Sequence, residues 1–147
     1  MPTNQTLALQ PFDGIFDIWN MDYSVINVLI KNGHAGTVTI TQEEMRMLPV
    51  VYTSGLAVLT AAASANTYNA IILDTDGDVT AVTTGSTSTI YAYLLVRGPA
   101  IIKNTTLTLV DADDAAITLA TVKTALLACS PPIVLQDENT NTIAAPV

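Results

Sequence analysis

Short apolar runs rich in β-branched residues, each closed off by Gly, Pro, Asn or Asp, recur along this chain and set the main limit on what it can become. VINVLIK at 25–31, TVTIT at 37–41, AIILDT at 70–75, IYAYLLV at 90–96 and AII at 100–102 all have strand length. None approaches the span a long helix or a membrane crossing needs. In TVTIT, Val38 and Ile40 alternate strictly with Thr, the period of a strand with one buried face. Thr is abundant throughout and suits pleated, half-buried surfaces. The pattern predicts a mostly β domain.

Punctuation gives the rest of the layout. NGHAG at 32–36 reads as a turn between two strands, with His34 as a solvated loop residue. QEEMRMLPV at 42–50 predicts one short helical turn ahead of Pro49. Gly55 divides 50–65 into two short strands and a turn, with helix an open alternative over 56–65. Asp76 and Gly77 predict a type I′-like β-turn. After the acidic DADD at 111–114, helical spacing runs over 115–129 until Pro131 and Pro132 stop it. Asp113 or Asp114 is the expected N-cap, with the acidic cluster complementing the helix dipole. IVL at 133–135 predicts a last short strand.

Toward the N-terminus the reading changes. Residues 1–11 form a polar arm ending in Pro11, and Phe12, Phe16, Trp19 and Tyr23 then fall at i, i+4, i+7 and i+11. That stripe can pack on the domain's own core. It can also dock on a partner, because aromatic anchors are enriched at interfaces, and these four residues are the candidate partner-binding set. The expected division is an N-terminal arm and aromatic segment over 1–36 and a β domain over 37–147.

Charge narrows function. Five Lys and Arg against thirteen Asp and Glu leave a net charge of −8. The five cations, Lys31, Arg46, Arg97, Lys103 and Lys123, are scattered singly. Nucleic-acid binding and recruitment to an anionic membrane both need clustered cations, so neither is expected. The first residues lack the charged and apolar regions of a secretory signal, which predicts synthesis in the cytoplasm. Half of the chain is hydrophobic and 12% is charged, too few polar groups to cover a monomer comfortably, which predicts self-association.

Catalytic equipment is sparse. One His and one Cys, His34 and Cys129, sit far apart in the sequence and support no triad. Cys129 reads as a small buried hydrophobe. Asp74, Asp76 and Asp78 begin like a calcium loop, because hard cations take carboxylate oxygens from alternate positions. The pattern then breaks, with Val79 and Gly85 where such a loop wants glycine and glutamate. No catalytic residue, cofactor or metal site is expected, and a binding or structural role is favoured over an enzyme.

Taken together, TVTI at 37–40, the apolar stretch around Gly55, NAIILDTDGDVTA at 69–81, LLVRGPAIIKNTTLTL at 94–109, the helix over 115–129 and the closing IVL resemble the phage head decoration (capsid cement) proteins of the lambda type. The likeness covers about two-thirds of the chain. Cys-Ser-Pro-Pro at 129–132 stands where that family often has a glycine, and residues 12–23 have no counterpart in it. The resemblance implies a compact β-clip or barrel-like domain with one short C-terminal helix and an N-terminal arm. It further implies a homotrimer on the outer surface of an expanded head, holding neighbouring major capsid proteins together against DNA pressure. A tail or fibre module, and a β domain binding calcium or a small ligand, are the alternative expectations.

Overall fold

A computed structural model describes residues 24–137. The aromatic candidates Phe12, Phe16, Trp19 and Tyr23 lie outside the described residues. The domain is mostly β, as expected.

Five strands close into a barrel in the order β1 (Ser24–Asn32), β4 (Leu56–Leu59), β3 (Leu48–Thr53), β5 (Ala70–Thr75), β7 (Thr87–Arg97) and back to β1. Every pairing is antiparallel except β1 with β4. A two-stranded antiparallel sheet of β2 (Thr37–Ile40) and β6 (Val79–Thr83) adjoins it. A second small sheet pairs β8 (Ala100–Lys103) with β9 (Ile133–Gln136) in parallel. Two α-helices, α1 (Gln42–Met45) and α2 (Leu119–Leu127), and two 3-10 segments, Ala62–Thr67 and Asn104–Thr106, complete the described elements. Residues 24–32, placed by sequence in the N-terminal segment, thus form a strand of the barrel itself.

Local chemistry explains the connections. Ser54 (φ 53°) and Gly55 (φ 75°) are both left-handed between the register pair Thr53 and Leu56, which is the two-residue hairpin whose twist matches its strands. Of the two readings open over 56–65, the strand forms first, and the chain coils only at the 3-10 segment that follows. α1 carries a full capping box: the Thr41 hydroxyl accepts from the Glu44 backbone N–H, and the Glu44 carboxylate accepts from that of Thr41.

Three expectations are corrected. The strands flanking NGHAG both exist, yet they do not pair with each other: β1 lies between β4 and β7, and β2 pairs with β6. The cause is Asn32, whose amide donates to the carbonyls of Gly36 (3.0 Å) and Val82 (2.6 Å) and turns the chain out of the barrel. The segment at Asp76 and Gly77 is not a type I′ turn, which needs positive φ at both central residues. Gly77 is not among the left-handed glycines, and β5 and β6 do not pair. The last helix is shorter than expected: it begins at Leu119 with Thr118 as N-cap and no side-chain capping bond, because residues 111–115 instead close a turn between the bridged residues Val110 and Ala116.

The core has two layers. Ile72 and Leu94, register partners on β5 and β7, are fully buried, and so is the adjoining pair Ile71 and Leu95. Successive strand residues point to opposite faces, so this part of the barrel wall is covered on both sides. Ile102, Val122, Leu126, Ile133 and Leu135, from the C-terminal elements, belong to the same continuous core. At about 25 cal/mol per Å² of apolar surface, burying each such side chain contributes on the order of 1.5–3 kcal/mol before entropy is counted. Two glycines allow close approach: a Cβ on Gly33 would lie 2.6 Å from the Leu59 carbonyl oxygen, and one on Gly98 would collide with that of Pro132. The Gly98–Pro99 and Ser130–Pro131 peptides are cis.

Candidate interaction face

The same wall opens toward its other end. On β7, Tyr91 and Tyr93 are 43% and 38% exposed, while Ala92 and Leu94 between and beyond them are buried. Leu29 and Asn27 on β1 stand opposite the two tyrosines. Directly opposed residues share a face, so the outer surface continues from Tyr91 to Leu29, Leu56 and Thr53, and a second row runs through Lys31, Val58 and Val51. Leu29, Leu56, Val58 and Val51 are all half-buried. The result is a largely apolar face across β7, β1, β4 and β3, interrupted by Asn27, Thr53 and Lys31. Its strands are all paired in the closed barrel, so it offers side chains and no free backbone edge.

Lys31 is the one cation within this face, and acidic groups border it. On the β5 side, Asp76 Oδ1 accepts the Tyr91 backbone N–H (2.9 Å), and the Asp76 N–H donates back to the Tyr91 carbonyl (3.0 Å). Asp74 accepts from Arg46 Nε at 3.1 Å and from the side chain of Gln42. Asp78 accepts from the Gln42 backbone N–H. The three carboxylates of the calcium-like segment are therefore each engaged by protein donors, Asp74 and Asp78 both by Gln42 and Asp76 by Tyr91. Among the described residues no group of three or more His, Cys, Asp or Glu is placed to hold a metal ion.

A buried polar cluster sits at the junction of the barrel and the β2–β6 sheet. His34 is 2% exposed rather than solvated, because its backbone N–H donates to Asn32 Oδ1 (2.7 Å) and its Nδ1 meets Asp113 Oδ2 at 2.9 Å. An ionised carboxylate only accepts, so Nδ1 carries the proton; Nε2 is left buried without a partner. Asp111, expected to help cap the helix, accepts backbone N–H groups from Ala62 (2.6 Å), Asp113 (2.8 Å) and Ala115 (2.9 Å). Both acids brace loops.

Of the surface recesses, two lie beside a thiol or carboxylates, and they add little chemistry. One of about 400 Å³ lies beside Asn66, Tyr68, Asn69, Val96 and Cys129, and its lining holds no carboxylate, imidazole or ammonium. Cys129 is half-buried, with Sγ 3.5 Å from the Asn69 carbonyl, and burial pushes its thiol pKa up, away from a reactive thiolate. The other, about 150 Å³, includes Glu44, Asp111 and Asp114, of which Glu44 and Asp111 are already engaged as described.

The strand expected at 90–96 forms the second half of β7. The signal of its wet face was present, since Tyr91 and Tyr93 alternate with Ala92 and Leu94. The His34–Asp113 pair had no such signal. Among the described residues no helix is long and apolar enough to cross a membrane. Compared with protein-family models, with curated proteins and with solved structures, the chain matches none.

Proposed function

We propose that this chain is a structural virion protein, a phage head decoration protein that binds the outer surface of the capsid as a homotrimer and stabilises the expanded head against internal DNA pressure. Its partners are the major capsid protein and further copies of itself; no nucleic acid, membrane, cofactor or catalytic step enters. It is made in the host cytoplasm and ends on the outside of the virion.

The observation that carries this reading is the apolar outer face around Tyr91 and Tyr93 on an otherwise closed barrel. A closed barrel has given up its strand edges, so what it offers a partner is surface. Large exposed apolar patches on small domains mark association sites. The order of segments that resembles lambda-type decoration proteins, from TVTI at 37–40 to IVL at 133–135, supports the same conclusion. Many weak contacts repeated by icosahedral symmetry add up to a strong mechanical effect without any single tight site.

Co-sedimentation of the purified protein with heads of the phage that encodes it is the test. Binding to expanded heads and not to unexpanded shells is the expected result, together with a raised melting temperature of the loaded heads. Failure to bind expanded heads at saturating protein would overturn the proposal.

A further inference from the structure

We propose that the outer face of β7, β1, β4 and β3 is where neighbouring copies of this chain meet, head to tail, with Asp76 of one copy against Lys31 of the next. This inference rests on the reading that the protein assembles with itself, and it names the surface and the pairing that do so.

Three observations converge. First, the face carries Tyr91, Tyr93, Leu29, Leu56, Val58 and Val51, all half-buried or exposed, while the other end of the same wall is sealed at Ile71 and Leu95. Second, two opposite charges accompany the tyrosines, one at the border of the face and one within it. Asp76 lies on the β5 side, bonded to the Tyr91 backbone, and Lys31 on the β1 side, in register with Thr87 and Val58. Among the described residues neither has an ion-pair partner within 4 Å. With β7 between them they do not meet within one chain; across a head-to-tail contact they do. Third, the face spans four of the five strands of a closed barrel, so its two flanks point in different directions. One partner docked flat cannot cover both, whereas head-to-tail assembly places each copy between two neighbours, and heterologous contacts of that kind form a ring when their rotation closes. The tyrosines supply buried area at small entropic cost, and the charge pair sets the polarity of the contact.

The test is the mass of the full chain in solution by sedimentation equilibrium, with circular dichroism to establish that each variant is folded. Wild type should assemble. Lys31→Glu should weaken assembly by roughly tenfold or more, Asp76→Lys likewise, and the double variant Lys31→Glu/Asp76→Lys should recover to within about threefold of wild type, the signature of a direct pair. Tyr93→Glu, which leaves the Asp76 backbone bonds untouched, should abolish assembly. Assembly unchanged in Tyr93→Glu, no recovery in a folded double variant, or a monomeric wild type across the micromolar range would each overturn the assignment. Wild-type assembly that survives every substitution removes this face while leaving the decoration reading intact; assembly that responds as described, in a protein that ignores expanded heads, keeps the face and removes the capsid reading.

Discussion

His34 Nδ1 lies 2.9 Å from Asp113 Oδ2, and this bond joins two segments 79 positions apart. It ties the turn that leaves the barrel after β1 to the loop that precedes α2. His34 is nearly inaccessible while Asp113 is half-exposed, so the pair resembles a peg held from outside.

Removing the acid should therefore cost stability rather than helicity. Asp113→Ala strands a buried Nδ1–H and is expected to destabilise the fold by about 1–2 kcal/mol, with Asp113→Asn costing less because its amide oxygen still accepts. Urea unfolding measures the loss. Native-state amide exchange in α2 should stay close to wild type, whereas a helix-capping role would show as fraying of its first turn.

Asp111 offers a stronger version of the same logic. Both of its oxygens accept backbone N–H groups, three in all, from Ala62, Asp113 and Ala115. Asp111→Asn presents an NH₂ where one oxygen accepted, and is expected to cost about 1–3 kcal/mol. Thermal unfolding of the variant beside wild type checks it.

Gly98→Ala should be among the most damaging single-methyl changes. The added Cβ would overlap the Pro132 carbonyl and crowd the Ala100 nitrogen at 2.6 Å, both backbone atoms with no rotamer to yield. A loss of about 2–4 kcal/mol is expected, read by chemical denaturation, with increased amide exchange centred on β8 and β9.

Tyr68 predicts an alkaline limit to stability. Burial raises its hydroxyl above the ordinary 10.0; the Thr60 side chain opposes this, and the negative charge of Asp111 adds a smaller push upward. The folded state then holds the proton more tightly than the unfolded chain. Its contribution is fully present below pH 10 and is lost as the pH rises from there through the folded pKa. Tyr68→Phe should flatten the decline of melting temperature above pH 10 relative to wild type, and an equally steep decline in the variant would refute the assignment.

Which parts of this were legible beforehand follows from how far each signal reaches. α1 was readable because its capping box is complete within Thr41 to Glu44. The Ser54–Gly55 turn was readable because its hairpin closes over two residues. The end of α2 at Leu127, just ahead of Pro131 and Pro132, was readable for the same reason. Its start was not: DADD looks like a cap to any local rule, but Asp111 and Asp113 are claimed by Ala62 and His34, partners 49 and 79 positions away. The candidate aromatic set at 12–23 lies outside the described residues.

Sequence alone determined that the chain is mostly β, where most of its strands lie and that it ends in a short helix and strand, because period-two alternation, turn residues and proline stops act over two to eight positions. Only the tertiary structure decided that β1 joins β4 and β7 rather than β2, that His34 is buried on Asp113, and that the tyrosine face of β7 stays open while Ile71 and Leu95 are sealed. Those outcomes depend on which distant strand covers which face. Alternation tells a strand that it has two faces; it takes the packed neighbours to decide which of them meets water.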